Sequence, residues 1–268
     1  MVESGQLLTY ARAYGAETLA GHYRAKADLS TSMFWFERAS EFDPGAGRYH
    51  VGRAYVLSQL NRCGDAERAL LTALRITPTR LEPMINLGNL YRRQGRLGES
   101  RKILERAVEL SPQGAVARHA LGVTLYQLGQ HSAAAQHIRT AIDASPATTN
   151  YWVDLGTTLM ALGQLAEAEA LFRMVLEESP GTVSARMNLG TIAFSRGDYG
   201  ASTAAFRSVL VYEPDHHGAL FNLGVALSQM GDLEGAQEVL ARVVELDTCG
   251  EDGQEAKQML ERFAGKNQ

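Results

Sequence analysis

The sequence lacks several features that would define its class. Cysteine occurs only at Cys63 and Cys249, which lie far apart, so we expect reduced thiols rather than a disulfide framework or a metal site. No stretch of about 18 apolar residues occurs, so we expect no direct membrane insertion. The sequence does not open with a basic segment and a long apolar run, so no secretory signal is indicated.

An excess of basic charge is also missing. The formal net charge is −4 and the isoelectric point is about 6.0, which gives no bulk attraction to nucleic acid or to an anionic membrane. Lysine occurs at only four positions, and this preference for arginine is typical of a GC-rich bacterial genome. Without a targeting signal, we expect a cytoplasmic protein. A hydrophobic content of 45% indicates a folded chain.

Motifs for catalysis and metal binding are missing as well. The seven histidines include no HExxH arrangement, and the pair closest to a metal motif, His131 and His137, is predicted to lie on different elements. Neither a GxSxG nucleophile motif nor a glycine-rich phosphate loop occurs. We therefore expect no enzyme activity, no cofactor and no bound metal.

The prolines reveal a repeat. Six of the seven recur at intervals of 34 residues, at Pro44, Pro78, Pro112, Pro146, Pro180 and Pro214. A constant spacing of this size is typical of a repeat architecture. Proline cannot continue a helix because it lacks the N–H group, so each one should mark the boundary between two helix pairs.

Glycines and apolar residues recur with the same period. From residue 81 onward, the first half of each unit contains a Leu-Gly pair, such as Leu87 and Gly88, and a second glycine follows at the predicted end of the first helix, as at Gly95. The second half of the unit has a small residue and then a large apolar one, as at Ser100 and Leu104. Gly88 should allow close helix packing, and Gly95 should supply a positive φ angle. The units therefore predict antiparallel helix pairs that must stack to bury their apolar faces.

This pattern of Leu-Gly, Tyr, Gly, Ala, Phe or Leu, Ala and Pro in 34 residues resembles the tetratricopeptide repeat. The resemblance covers about residues 47–248 and implies an all-α fold, a right-handed α-solenoid of helix-turn-helix repeats. HEAT and armadillo repeats would need longer units. Within a single solenoid over 1–268, we expect degenerate N-terminal helices or a repeat at 1–46, repeats at 47–80, 81–114, 115–148, 149–182, 183–216 and 217–250, and a C-terminal capping helix at 251–264.

The pattern is weaker at both ends. In 47–80 the residues GRAY at 52–55 come two residues early and Asn61 replaces the turn glycine, which predicts a short loop followed by a longer helix or turn. Residues 4–14 are predicted as an extra helix. Near the C-terminus Thr248 replaces proline, and Asp252 with Glu255 resembles a capping box that begins the capping helix.

The resemblance implies that the first helices line a concave, peptide-binding groove. These helices contain few ionised groups from residue 115 onward, while the second helices are rich in charge. Exposed apolar side chains in such a groove would favour an apolar or amphipathic client, with an acidic end near Arg92. In the alternative interpretation, these side chains pack against the neighbouring unit. The predicted groove residues are Ile85, Asn86, Asn89, Arg92, Arg93, Tyr126, Asp154, Met160, Met187, Asn188, Phe194, Phe221 and Asn222.

Asparagine recurs at one groove position, at Asn86, Asn188 and Asn222. An amide offers both donors and an acceptor, so a row of amides can pair with a peptide backbone without reading its sequence. The row resembles the asparagine ladder of O-linked N-acetylglucosamine transferases, of which only the peptide-holding role is implied here. The alternative is that these asparagines link adjacent first helices.

The predicted function is a non-catalytic scaffold or adaptor that binds a peptide or helical segment of a client protein in its concave groove. Two alternatives stay open. One is a client-specific chaperone or assembly factor of a bacterial secretion, pilus or organelle system, and the other is a regulatory subunit that presents substrates to a separate enzyme. Self-association through the same groove is compatible with each of them.

Overall fold

The structure, a computed structural model, describes residues 2–247 and 250–266, with side chains from 8–247 and 250–264. The predictions made for Thr248 and Cys249 therefore lie outside the described residues. The described residues form fifteen helices and no strand. The fold is an all-α helical repeat solenoid, as the sequence predicts.

The chain divides into two compact units. Unit 1 covers Met1–Ser145 and unit 2 covers Pro146–Gln268. In unit 1 the helices are α1 Val2–Ala25, α2 Leu29–Phe42, α3 Gly47–Gln59, α4 Cys63–Ile76, α5 Leu81–Arg93, α6 Leu97–Leu110, α7 Ala115–Gln127 and α8 His131–Ala144. In unit 2 they are α9 Thr149–Ala161, α10 Leu165–Glu178, α11 Val183–Ser195, α12 Tyr199–Leu210, α13 His217–Met230, α14 Leu233–Leu246 and α15 Glu251–Lys266.

The helices keep the 34-residue period even where the sequence pattern is weak. The first helix of the 47–80 segment, α3, has thirteen residues, as α5 has, so the prediction of a longer helix there is wrong. Gly52 is not the counterpart of Gly88, because its missing side chain makes room for Phe36 of the preceding helix α2. The predicted extra helix at 4–14 is also wrong, since those residues belong to the continuous helix α1. The repeat boundaries themselves stay a prediction.

A left-handed backbone residue follows the first helix of every pair. Glycine occupies this position in five pairs, with φ between 74° and 81°. In the two N-terminal pairs the position is taken by Ala27, with φ of 59°, and by Asn61, with φ of 56°. Asparagine is among the non-glycine residues that best tolerate this conformation, whereas alanine pays its full cost. In the first two pairs the turn residue is therefore different, but the backbone geometry is the same.

Substitutions at this turn should have opposite effects in different pairs. Ala27→Gly is expected to raise the free energy of unfolding by about 0.5–1 kcal/mol, because glycine adopts a positive φ without the contact that Cβ makes with the carbonyl oxygen. Gly129→Ala, at the equivalent turn, is expected to lower it by about 1 kcal/mol for the same reason. Urea unfolding followed by circular dichroism measures both changes. If both variants changed the free energy of unfolding in the same direction, the positive φ angle would not be the reason why glycine stabilises this turn.

Glycines in the first helices allow the two helices of a pair to approach closely. A Cβ atom added to Gly88 would lie 2.5 Å from Cγ of Leu104, and one added to Gly156 would lie 2.6 Å from the Phe172 ring. Leu104 and Phe172 are both fully buried. The predicted role of these glycines in close packing is therefore confirmed.

A small side chain on the second helix completes this contact. The Ser100 hydroxyl donates a hydrogen bond to the Gly88 carbonyl oxygen at 2.8 Å, and Ser202 makes the same bond to Gly190 at 3.0 Å. Each serine is fully buried. Because the hydroxyl is satisfied by a helix carbonyl, the core accepts a polar group at this position without an unpaired donor.

The C-terminal helix α15 covers the end of the stack formed by α13 and α14. Its predicted apolar stripe is confirmed, since the side chains pack on the cluster that contains Leu240. The predicted capping box is wrong: α15 begins at Glu251, and the carboxylate of Asp247 accepts hydrogen bonds from the N–H groups of Gly250 and Gly253. The stripe consists of Ala256, Met259, Leu260 and Phe263. Among the described helices, none is both long enough and apolar enough for a membrane span.

Candidate functional site

Within each unit, neighbouring first helices touch one another. In unit 1 α3 contacts α5 and α5 contacts α7, and in unit 2 α9 contacts α11. The predicted groove residues lie on α5 and α7 in unit 1 and on α9, α11 and α13 in unit 2. We call the surface that these helices share within each unit the first-helix surface.

The predicted groove residues are mostly half-buried. Arg93 is exposed, and the other twelve have intermediate exposure. In unit 1 they are Ile85, Asn86, Asn89, Arg92, Arg93 and Tyr126. In unit 2 they are Asp154, Met160, Met187, Asn188, Phe194, Phe221 and Asn222.

Four of the apolar residues pack against the core. Ile85 and Tyr126 contact the cluster that contains Leu104, and Met187 and Phe221 contact the cluster that contains Phe206. For these four side chains the structure supports the alternative interpretation, in which they pack between neighbouring helices. A charge at Phe221 or Met187 would therefore reduce stability as well as any binding, so neither residue offers a clean test of the surface.

The recurring asparagines differ in their hydrogen bonds. The Asn188 amide donates to the Thr157 hydroxyl at 3.1 Å, which links α11 to α9 as the alternative interpretation requires. Among the described residues, the side chains of Asn86, Asn89 and Asn222 have no hydrogen-bond partner. Their donors and acceptors are therefore available to a ligand.

A pocket lies between α3 and α5 in unit 1. Leu70 and Leu90 contribute to its lining, and the exposed Tyr55 ring stands at one side. None of its lining residues is acidic. The polar residues of this α3–α5 pocket are Tyr55, Ser58, Gln59, Asn86, Asn89 and Arg93.

Two arginines flank Tyr55 and are not neutralised. The Arg24 guanidinium lies over the Tyr55 ring, 5.1 Å from its centroid, and Arg93 lines the same pocket. Neither forms an ion pair with any carboxylate that the structure describes. Sequence reasoning missed Tyr55 because it placed α3 out of step with the other first helices. It missed Arg24 because α1 lies in the N-terminal segment where the repeat pattern is weak.

A nearby arginine shows the opposite arrangement. Arg96 pairs with Glu67 at 2.7 Å and with Glu99 at 2.6 Å, and it lies over the Tyr91 ring. Burial and the hydrogen bond from its hydroxyl to Glu67 raise the pKa of Tyr91 to about 12. Arg96 is therefore a structural cation, and in this respect it differs from Arg93.

An apolar cleft lies on the other side of α5, toward α7. Leu81, Ile85 and Val116 line it, and Val116 is 57% exposed. Asn86 lines both this α5–α7 cleft and the α3–α5 pocket. The two sites are thus neighbours with one amide between them.

An equivalent of the α3–α5 pocket occurs in unit 2. Thr191 takes the position of Tyr55 and Asn222 that of Asn86, each four repeats further along the chain. The remaining residues of this α11–α13 pocket are Phe194, Phe206 and Val225. The same location between first helices is therefore open in both units.

Three first-helix side chains hold the connecting loops. Arg118, Trp152 and Arg186 each donate a hydrogen bond to the carbonyl oxygen of the proline six residues earlier, with the Trp152 bond at 2.8 Å. Their 34-residue spacing was visible in the sequence, but their partners were not. Arg118 and Arg186, two of the few charged residues on the first helices, therefore have a structural role.

The predicted placement of the histidine pair is wrong. His131 and His137 both lie on α8, and His137 hydrogen-bonds with Arg118. Burial and the nearby Arg118 charge lower the pKa of His137. Among the described residues, no group of three histidine, cysteine, aspartate or glutamate side chains could hold a metal ion.

Solved structures with the same fold include proteins of different sizes. A tetratricopeptide repeat protein from Parabacteroides merdae matches with a TM-score of 0.74 at 14% identity, over 94% of this chain and 98% of its own. A chain of the APC/C hetero-tetramer Cut9-Hcn1 matches with a TM-score of 0.73 at 18% identity over 81% of this chain. This match covers 43% of the Cut9-Hcn1 chain, so our chain spans less than half its length.

A third structure is YrrB, described as a tetratricopeptide repeat protein with an unusual peptide-binding site. It has a TM-score of 0.52 and 22% identity, and the match covers 72% of this chain and 99% of YrrB. No curated protein matches the sequence significantly. Family models of the tetratricopeptide repeat match residues 79–147, 153–210 and 193–260. The chain therefore belongs to the tetratricopeptide repeat family.

Proposed function

We propose that the chain is a non-catalytic scaffold that holds a segment of a client protein against its first-helix surface. Its membership of the tetratricopeptide repeat family supports a protein-interaction scaffold in general. The observation that carries the finer proposal is the recurring opening between first helices, at the α3–α5 pocket in unit 1 and the α11–α13 pocket in unit 2.

The chemistry of these openings suits a polypeptide. The amides of Asn86, Asn89 and Asn222 can accept from and donate to a peptide backbone, which every extended segment offers. Tyr55 in one pocket and Phe194 in the other supply aromatic surface for side chains of the client. YrrB, which shares the fold, is described as having a peptide-binding site. These features favour an apolar or amphipathic segment.

The test compares charged substitutions on the two helix surfaces. Tyr55→Glu and Thr191→Glu change exposed residues at equivalent positions of the first-helix surface, one in each unit. The controls Leu71→Glu and Ala170→Glu change exposed residues of second helices in the same units. The client is captured from cells that express the chain, identified by mass spectrometry, and titrated against each purified variant.

We expect at least one of the two first-helix variants to weaken client binding tenfold or more, which corresponds to about 1.4 kcal/mol. The second-helix controls should change the affinity less than about twofold. All four variants should retain their helical content and melting temperature, because the positions are exposed. Equal losses on both surfaces, or losses only in the controls, would contradict the proposal. Capture of a second copy of this chain would point to self-association through the same surface.

A further inference from the structure

We propose that unit 1 binds an extended segment that places an acidic side chain in the α3–α5 pocket and an aliphatic side chain, about four residues away, in the α5–α7 cleft. The inference rests on the proposed function and adds to it the chemistry of the segment. It follows from the charge of the first site, the apolar surface of the second, and the one amide that borders both.

The α3–α5 pocket has the charge for an acidic group. Arg93 lines it and Arg24 lies over the Tyr55 ring at its side, while none of its lining residues is acidic. Neither arginine forms an ion pair with a carboxylate that the structure describes, whereas Arg96, also in unit 1, pairs with two carboxylates. A carboxylate from a client would give Arg93 the partner that none of the described residues supplies, with Arg24 adding positive charge beside Tyr55.

The same pocket also contains side-chain amides, which are uncharged hydrogen-bond donors. Asn86 and Asn89 can donate to a carboxylate oxygen without the desolvation cost of a third cation. Arg93 also lies in the last turn of α5, where a cation stabilises the helix dipole. A role in the helix alone predicts a change in melting temperature, whereas a role in binding predicts a change in affinity, so the experiment measures both.

The α5–α7 cleft has the surface for an aliphatic group. Val116 is 57% exposed, and Leu81, Ile85 and Ala115 surround the same cleft. The equivalent position of the other first helices from α3 to α13 is polar or glycine, at Arg48, Glu82, Asn150, Ser184 and Gly218. An exposed valine in this one repeat is explained if a side chain of the client covers it.

The distance between the two sites sets the spacing. The α5 residues that line the α3–α5 pocket are centred about six positions further along the helix than those that line the α5–α7 cleft. At 1.5 Å per residue this is about 9 Å. They lie on opposite sides of α5, which adds about one interhelical distance of 8–10 Å at a right angle. The separation of about 13 Å corresponds to about four residues of extended chain at 3.3 Å each. Residues i and i+4 of an extended segment also point to the same side, so both can face the protein.

The experiment selects binders from a library of random twelve-residue peptides with the full chain immobilised. We expect enrichment of peptides in which an aspartate or glutamate stands about four residues from a leucine, isoleucine, valine or methionine. A selected peptide is then synthesised and titrated against Arg93→Glu, Val116→Asn and the control Lys102→Glu. The control makes the same change in net charge on the second helix α6.

Arg93→Glu should weaken the selected peptide at least tenfold, and the peptide with lysine in place of its acidic residue should bind Arg93→Glu better than it binds the unchanged chain. Val116→Asn should weaken the peptide at least fivefold and Lys102→Glu less than twofold, with melting temperatures unchanged for both. Arg93→Glu should also lower the melting temperature slightly, because it removes the favourable charge at the end of α5. Peptides that Tyr55→Glu displaces but that lack the acidic and aliphatic pair would overturn this inference and leave the proposed function standing. A library that yields no peptide sensitive to Tyr55→Glu would count against both.

Discussion

Replacing Phe172 by alanine is expected to lower the free energy of unfolding by about 3–5 kcal/mol, the range found for large-to-small changes in well-packed cores. The Phe172 ring is fully buried and fills the space that Gly156 leaves on the facing helix. Alanine would leave a cavity between the two helices, because a packed core relaxes only in part around the lost side chain. Urea unfolding followed by circular dichroism measures the change.

The matched control is another aromatic residue of unit 2. Tyr212 is 49% exposed and contacts Arg186 through its ring, so Tyr212→Ala should cost less than about 1 kcal/mol. Similar losses at both positions would mean that burial between the paired helices does not determine stability.

Replacing Gly88 by leucine is expected to lower the free energy of unfolding by about 3 kcal/mol, the upper part of the range for overpacked cores. A Cβ atom at this position already comes within 2.5 Å of Cγ of Leu104, and the remaining atoms of leucine have no free volume between the helices. A single methyl group can be accommodated, since Ala54 occupies the equivalent position in α3. The gain in helix propensity from glycine to leucine, about 0.8 kcal/mol, is smaller than this loss.

Gly98→Leu tests the same change where there is room. No atom lies within 4 Å of a Cβ added to Gly98, which is exposed near the start of α6. The variant should be as stable as the unchanged chain or up to about 1 kcal/mol more stable, because leucine favours the helix. If Gly98→Leu were as destabilising as Gly88→Leu, close helix packing would not be the reason for the glycine at position 88.

Much of the fold could be predicted from residues with a single physical use. Pro112 stops a helix, Gly129 supplies a positive φ, and Gly122 allows two helices to touch, so their 34-residue spacing reports helix ends and contacts directly. The same reasoning failed where the residue type changed but the geometry did not. Asn61 and Ala27 adopt the turn conformation of glycine, and Gly52 serves a different contact.

The candidate site was harder to predict because exposure depends on neighbours. Sequence periodicity places Phe221 and Tyr55 on first helices, but only the packed structure shows that Phe221 rests on the core while Tyr55 is open. Hydrogen bonding gives a similar result for the asparagines. Asn188 meets a threonine on the preceding first helix, while Asn222 meets no donor or acceptor among the described residues. The recurrence of a residue does not imply that each copy has the same role.

The central claim is that the first helices, and not the second, carry the client. Site-specific photo-cross-linking along both surfaces tests this most directly, with the probe placed at one position of each repeat and the purified client added. On first helices the probe replaces Tyr55, Asn89, Val123, Thr157, Thr191 and Val225, and on second helices it replaces Leu71, Glu105, Arg139, Arg173, Arg207 and Ala241. The account predicts cross-links to the client from consecutive first helices, with positions 55 and 89 among them, and none from the second helices. Cross-links confined to the second helices would contradict it.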